Sequence, residues 1–364
     1  MRDRTADCLV IGGGLLGMLS AYELAQAGMR VMLLERGRTG QESSWAGGGI
    51  LSPLYPWRYP DAVNQLAAWG QARYRALAET LYKRSGVDPE WQQSGLLMLD
   101  VAEQDEAVAW AEHEGVVLEL LTNEAISHCE PALQIAAERA LWMPSVAQIR
   151  NPRLLTALRS TLERQGVVFR EQSEVLALQQ QGGGVTAVES STGVYYAGQV
   201  VIASGAWSRG LLDGTPLSIE IEPVRGQMLL YKAKPGLLNT IVMADGHYAI
   251  PRRDGHILVG STLEYAGFDK SITAAAATTL REIAERLVPA LAGMKAVRHW
   301  AGLRPGSFEG VPYIGEHPAI SGLYVNTGHF RNGVVLGLAS AKLLGDLMLG
   351  REPVFDPSLY AIER

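Results

Sequence analysis

DCLVIGGGLLGMLSAYELAQAGMRVMLLE, residues 7–35, decides how the rest of the chain is read. Asp7 to Ile11 is a short apolar run suited to a strand buried on both faces of a parallel sheet. Leu15 to Ala27 has the spacing and alanine content of a helix, and Met29 to Leu34 is a second apolar strand. The unit spans about 30 residues, enough for a right-handed crossover between parallel strands. Between strand and helix, Gly12-Gly13-Gly14-Leu15-Leu16-Gly17 fits the G-x-G-x-x-G pattern of dinucleotide-binding folds. Gly12 permits a tight turn, Gly14 lets a pyrophosphate approach the backbone, and Gly17 lets the helix pack closely on the strand. The helix N-terminus offers unpaired N–H groups to the phosphates. Glu35, at the end of the second strand, is placed to accept hydrogen bonds from the ribose hydroxyls of an adenosine.

Outward from this unit, Asp61 to Arg84 has the apolar spacing of a long amphipathic helix and is expected to bridge two domains. Gly95 to Val101 predicts a strand, followed by a polar helix from Glu103 to Glu114. Asn151 to Gln165 predicts a helix, with Pro152 at its first turn and Gly166 just past its end. Val175–Leu178 and Val185–Glu189 flank three glycines as a hairpin, and Gln199 to Ala203 returns to the first sheet as a buried strand. Strands recur from Gln227 to Leu263, then a helix from Ala274 to Leu287. From Ala301 onward come a glycine-rich loop, a strand at Leu323–Asn326 and a closing apolar helix. The two modules are therefore interleaved, one drawing on residues 1–85, 142–225 and 300–364, the other on 86–141 and 226–299.

The 364 residues carry 47% hydrophobic content, which suits a globular chain with a sizeable core, and a formal net charge of -6, which offers no basic field for nucleic acid or anionic lipid. Cys8 and Cys129 are the only cysteines, which excludes a disulfide scaffold and a four-cysteine zinc site and fits a reducing cytoplasm. No metal site is expected. The N-terminal apolar run leads into glycines and not into a cleavable signal, and Val334 to Leu349, interrupted by Lys342 and Asp346, is too short for an integral membrane segment. The residues Arg36 to Ile50 combine hydroxyls with Gly47-Gly48-Gly49, a backbone that can lie against a large flat ligand.

Six stretches together, IGGGLLG (11–17), LLERG (33–37), ESSWAGGGIL (42–51), VVIASGAWS (200–208), GLRPGSFEGVPYIG (302–315) and TGHFRNGVVLGLASAKLL (327–344), resemble the glycine/D-amino acid oxidase family of flavoproteins, and most closely its thiamine-pathway glycine oxidases. The resemblance spans nearly the whole chain. It implies an α/β fold: a Rossmann-like FAD-binding domain of the GR2 type interleaved with an α+β substrate domain built on an antiparallel sheet. It implies noncovalent FAD, because no cysteine follows Cys129 to attach the flavin. Beside Gly12, Gly14, Gly17 and Glu35 of the fingerprint, the resemblance places FAD contacts at Leu15, Leu16, Arg36, Ser43, Ser44, Gly48, Gly49, Ile50, Val175, His329, Phe330, Arg331, Asn332, Gly333, Val334 and Val335. A helix opening near Asn332-Gly333 would direct its positive end at the flavin and favour the anionic reduced form. Trp45 stands where the resemblance leads one to expect a small residue.

An amino acid substrate brings a carboxylate, best held in an apolar site by the planar fork of an arginine. Arg304 occupies the family's carboxylate position, Arg331 lies beside the flavin-facing segment, and Tyr248 matches the tyrosine whose hydroxyl assists. His247 and His329 read as structural residues and no general base is assigned, while Met243, His299 and Trp300 are further candidates for the pocket wall. The implied reaction is hydride transfer from the Cα of glycine to flavin N5, reoxidation by molecular oxygen to hydrogen peroxide, and hydrolysis of the imine to glyoxylate and ammonia. The family often forms homotetramers. A D-amino acid or sarcosine oxidase, a dehydrogenase passing electrons to a quinone, a nicotinamide dehydrogenase and a non-catalytic nucleotide-binding module are the alternatives.

Overall fold

The amino-terminal apolar run forms β1 (Cys8–Ile11), α1 (Leu15–Gln26) crosses over, and β2 (Val31–Leu34) lies parallel to β1 in a computed structural model that describes residues 4–133 and 137–364. Leu9, Val10, Leu33 and Leu34 are all buried, as expected of a strand pair covered on both faces. The turn between β1 and α1 depends on two glycines. Gly12 has a positive φ of 110°, and a Cβ added to Gly17 would fall 1.9 Å from the Gly12 carbonyl oxygen. Any side chain at residue 17 would push the helix off the strand.

Gln199–Ile202 pairs parallel to β1 on its other side, so that six strands run in the order Tyr313–Glu316, Leu323–Thr327, Gln199–Ile202, β1, β2 and Val168–Arg170. Only the Tyr313–Glu316 edge is antiparallel. The helices Asp61–Ser85, Asn151–Arg164 and Gly333–Met348 cover one face together with α1. Within the last of these, Asp346 is fully buried and ion-pairs with Lys342 one turn earlier, so the two charges that interrupt its apolar pattern offset each other. Among the described residues no helix is long and apolar enough to cross a membrane.

The second sheet has eight strands in the order Arg298–Gly306, Glu222–Lys232, His256–Gly260, His247–Pro251, Ile241–Ala244, Leu96–Leu99, Arg139–Met143 and Glu119–Thr122. All neighbours are antiparallel except Ile241–Ala244 and Leu96–Leu99. Alternation divides its side chains. Leu97, Leu229, Val242 and Val259 pack under the helix Ala274–Leu287, while Leu96, Met228, Met243 and Leu258 face the other way, beside Leu54 and Tyr55.

Two sequence expectations need correction. Asp61–Ser85 does not bridge two modules: Leu66, Tyr74 and Leu81 share a core with the helices Asn151–Arg164 and Gly333–Met348, and Gly70 lies against the Val335 carbonyl. Residues 301–306, read as a glycine-rich loop, are the end of an edge strand, where Pro305 needs no ladder partner on its outer side. The divisions drawn at 142, 226 and 300 fall inside Arg139–Met143, Glu222–Lys232 and Arg298–Gly306; the strand pairing argues for moving each boundary outward to the end of its strand.

Replacing Gly17 with alanine should lower the stability of the folded chain by about 1–3 kcal/mol, the usual cost of forcing extra atoms into a packed contact. A thermal-denaturation midpoint equal to that of the parent chain would show that α1 does not depend on this contact.

Candidate active site

A cavity of about 460 Å³ lies between the two sheets. From the six-stranded side it is lined by Gly12, Gly14, Leu15, Leu16, Glu35 and Arg36; from the intervening segments by Ser43, Ser44, Gly48, Gly49, Ile50 and Val175; and from the carboxy-terminal region by His329 to Val334. The eight-stranded sheet contributes Tyr248 and Arg304. The structure thus gathers nearly every residue singled out in the sequence around one space. Two stand apart. Gly17 acts through packing on Gly12, and Val335 is buried in the helical core behind the wall.

Glu35 organises the turn at the mouth of β2. Its Oε2 accepts from the Gly13 N–H at 2.8 Å and its Oε1 from the Gly37 N–H at 2.8 Å, leaving further lone pairs of each oxygen for a ligand hydroxyl. Ser44 Oγ accepts from the Leu15 N–H at 2.8 Å, and so satisfies one of the orphan donors that open α1. Arg36 lies 3.7 Å from the ring centroid of Trp207, whose other neighbour is the stacked ring of Phe268 at 5.5 Å.

The glycine segment 47–49 is held from behind. The Ile149 N–H donates to the Gly49 carbonyl at 2.8 Å and Asn151 Nδ2 to the Ser44 carbonyl at 2.8 Å. Arg252 donates to the Gly48 carbonyl at 2.7 Å, to Gln148 Oε1 at 2.6 Å and to the Ile149 carbonyl at 3.2 Å. Burial, with the neighbouring Arg150 charge, pushes the Arg252 guanidinium down to about 10. Trp45, unexplained by sequence, meets the ring of Trp300 edge-on at 5.5 Å, with Arg298 4.4 Å from its own ring centroid. It is a packing residue between the short helix Ser43–Ala46 and the edge strand.

Arg304 projects from that edge strand over Gly226, where a Cβ would lie 2.3 Å from the guanidinium. Its Nη2 donates to Ser261 Oγ at 2.7 Å and its Nη1 to the Thr262 carbonyl at 3.2 Å. Among the described residues no carboxylate reaches it within ion-pair distance. Burial lowers its pKa, the Tyr248 hydroxyl works against that, and the charge of Arg331 adds to it. Arg331 donates to the Gly246 carbonyl at 3.4 Å. The end of the cavity beside Arg304 and Arg331 therefore carries positive charge with free donors, an arrangement that selects a carboxylate.

Whether the cavity suits a large polar ligand is tested by its own buried atoms. Asn326 Oδ1, His329 Nδ1 and Asn332 Nδ2 have no hydrogen-bond partner, although each residue is at most 3% exposed. All three residues line the cavity. Leaving such groups unpaired costs about 1–3 kcal/mol each, so a ligand rich in donors and acceptors fits this wall and an apolar one does not. Beside them the helix Gly333–Met348 opens toward the cavity with no side-chain cap.

Several wall residues escaped the sequence-derived list. Trp207 lay in the stretch VVIASGAWS without a role of its own. Gly226 and Met228 had no local signal, because strand pairing alone brings them in, and Leu54 comes from an irregular segment without one. Met243, His299 and Trp300 were candidates, and the wall does not include them.

His329 Nε2 hydrogen-bonds to Ser340 Oγ at 2.9 Å, and Ser340 in turn donates to the Leu336 carbonyl. Burial pushes the imidazole from its ordinary 6.5 down to about 3. Above pH 6.5 the folded and unfolded states are both neutral here, so the residue has no linkage effect. Below that the unfolded chain gains the proton first, and stability falls by about 1.4 kcal/mol per pH unit until the folded value is reached. His329→Gln should remove one proton's worth of this slope in denaturant titrations between roughly pH 4 and pH 6. An unchanged slope would mean that His329 takes up its proton while the chain is folded.

The model of the family described as FAD dependent oxidoreductase (DAO) matches residues 7–347. The chain is 50% identical over 355 residues to a glycine oxidase of Pseudomonas aeruginosa, with 97% of each chain covered. It is 48% identical over 356 residues to a glycine oxidase of Pseudomonas putida, with 98% of each covered. The crystal structure of a glycine oxidase from Geobacillus kaustophilus superposes with a TM-score of 0.94 at 31% identity, covering 99% of both chains.

Proposed function

The chain belongs to the DAO family of FAD-dependent oxidoreductases, and from that premise we propose that it oxidises glycine, with the amino acid held where Arg304 and Tyr248 meet the cavity wall. The observation that carries this reading is the Arg304 guanidinium, drawn out of water without an internal counter-ion. Glycine consists of little more than a carboxylate and an amine, so one unneutralised arginine at the wall is its main point of purchase.

FAD would be held noncovalently by Glu35, by the backbone of residues 12–14 and 47–49, and by the opening of the helix Gly333–Met348. When bound, it supplies the acceptor for the hydride that leaves the substrate Cα. The chain's own contribution is binding and orientation. Arg304 fixes the carboxylate through N–H groups not used on Ser261 and Thr262, and the Tyr248 hydroxyl adds a second point of attachment. The positive charge of Arg304 and Arg331 favours the neutral amine over the ammonium form. Gly226 makes room for the Arg304 guanidinium itself, and Gly48 for Ile250 and Tyr248.

In balance, glycine, oxygen and water give glyoxylate, ammonia and hydrogen peroxide. The product imine suits the supply of thiamine thiazole synthesis, as the sequence resemblance implies. The same resemblance supports a cytoplasmic homotetramer with oxygen as electron acceptor.

Anaerobic mixing of the yellow holoenzyme with glycine, sarcosine, D-alanine and D-proline tests the reading. Glycine should bleach the flavin fastest, with peroxide formed once air is admitted. Preference for another amine would move the substrate assignment, and bleaching without peroxide would make the protein a dehydrogenase. Arg304→Ala should lower kcat/KM for glycine by about 100-fold or more, the scale for a buried charged partner, with an unchanged flavin spectrum.

A further inference from the structure

Arg252 stands behind the cavity wall and not in it. It follows the strand His247–Pro251 and continues its ladder, the Arg252 N–H donating to the His256 carbonyl at 2.8 Å. Alternation therefore puts its side chain on the face of Tyr248 and Ile250. Where Tyr248 reaches the cavity itself, Arg252 meets the glycine segment from outside and donates to the Gly48 carbonyl at 2.7 Å.

The peptide that carries this carbonyl has a second end. Its N–H belongs to Gly49, and in a trans peptide the C=O and N–H point in opposite directions. With the carbonyl held toward Arg252, the Gly49 N–H is aimed away from it. Gly49 is buried and lines the cavity, and among the described residues no oxygen accepts from its N–H. The segment is not free to turn and find one, because the Ile149 N–H holds the Gly49 carbonyl at 2.8 Å and a Cβ on Gly49 would lie 2.0 Å from the Ile149 carbonyl oxygen. The donor thus faces the ligand space. A Cβ on Gly48 would lie 3.3 Å from the Tyr248 ring, so this is the Tyr248 end of the cavity. With the adenosine at Glu35 and the substrate at Tyr248, the flavin ring is the part of the cofactor that the donor meets.

The charge behind the peptide is not offset. The other acceptors of Arg252 are neutral, Gln148 Oε1 at 2.6 Å and the Ile149 carbonyl at 3.2 Å. The carboxylates whose charge reaches it, Glu90 and Asp254, are held by other arginines. Arg150 takes both, at 3.2 and 2.9 Å, and Arg153 takes Glu90 at 3.1 Å. Three arginines against two carboxylates leave one positive charge over, on the arginine that touches the wall. We infer that Arg252 is a positioning residue for the flavin: it turns the Gly48–Gly49 peptide so that its N–H meets the ring, and its unshared charge, one peptide unit behind, favours the electron-rich reduced state. This inference rests on the reading that places the substrate at Arg304 and Tyr248, and hence the ring beside Gly48.

The test uses the FAD-loaded enzyme and its flavin midpoint potential, read by anaerobic reductive titration against a reference dye. Arg252→Met should lower the ratio of reduced to oxidised flavin at a fixed potential by about tenfold, equivalent to a midpoint about 30 mV lower for a two-electron couple. Arg252→Lys, which keeps the charge, should hold the ratio within about threefold of the parent. A parent-like potential in Arg252→Met would overturn the inference, and so would a lysine variant that falls as far as the methionine one, because the charge would then not matter. Gln148→Glu covers the case in which Arg252→Met does not fold or loses FAD. It sets a carboxylate on the same guanidinium in a side chain of equal size and should lower the ratio in the same sense; a parent-like ratio there would also overturn the inference. Acetate, as a carboxylate probe, is the separate control. It should perturb the flavin bands of the parent, and if it does not, the ring does not lie at the Arg304 and Tyr248 end and that reading fails, whatever Arg252 does.

Discussion

The contact between Gly17 and the carbonyl of Gly12 sets the distance at which α1 begins, and the remainder of the molecule is arranged around that distance. With the helix seated directly on β1, its first N–H groups point into the space beyond the sheet, and Ser44 and Glu35 can reach the same turn from two directions. The segment that follows Glu35 then passes through turns and the short helix Ser43–Ala46, and at residues 47–49 three glycines make the cavity wall peptide and not side chain. Arg252 and Asn151 hold that wall from outside. The space between the sheets is therefore shaped by backbone on one side and by two arginines on the other.

What could be read from sequence is what local chemistry decides. The glycine fingerprint, Glu35, the helix after Pro152 and the buried strand at Gln199–Ile202 each carry their signal within a few residues. The strand Arg298–Gly306 was missed because Gly302, Pro305 and Gly306 are turn-forming residues in isolation; an edge position makes them acceptable, and edges are a property of the whole sheet. Amphipathic spacing identified Asp61–Ser85 as a helix but said nothing about its partner. Gly226 and Met228 reach the cavity, and Arg252 the back of its glycine wall, through contacts across tens or hundreds of residues, and no nearby residue marks them. Arg304 and Tyr248 were legible only through the stretches around them that resemble a known family.

Four buried or half-buried arginines near the cavity divide by what neutralises them. Arg225 has carboxylates, Arg252 has carbonyl and amide oxygens, Arg304 has one hydroxyl and one carbonyl, and Arg331 has a single carbonyl at 3.4 Å. The first is satisfied and can act as structure. The second stiffens the glycine segment at the cost of an unshared charge near the cofactor wall. The last two are left with spare donors, which is a poor arrangement for stability and a useful one for binding an anion.

The order of strands in the six-stranded sheet has a consequence for how the chain comes off the ribosome. β1 is made well before its neighbour Gln199–Ile202, which lies about 190 residues further on, and before the next strand, Leu323–Thr327, which lies about 310 residues further on. The helix whose open end meets the cavity, Gly333–Met348, is later still. The nucleotide-binding turn thus exists as a sequence long before it exists as a surface, and an incomplete nascent chain presents half a sheet with unpaired edges. A cavity walled on all sides therefore needs residues 329–334, more than 300 positions beyond the glycine turn it faces.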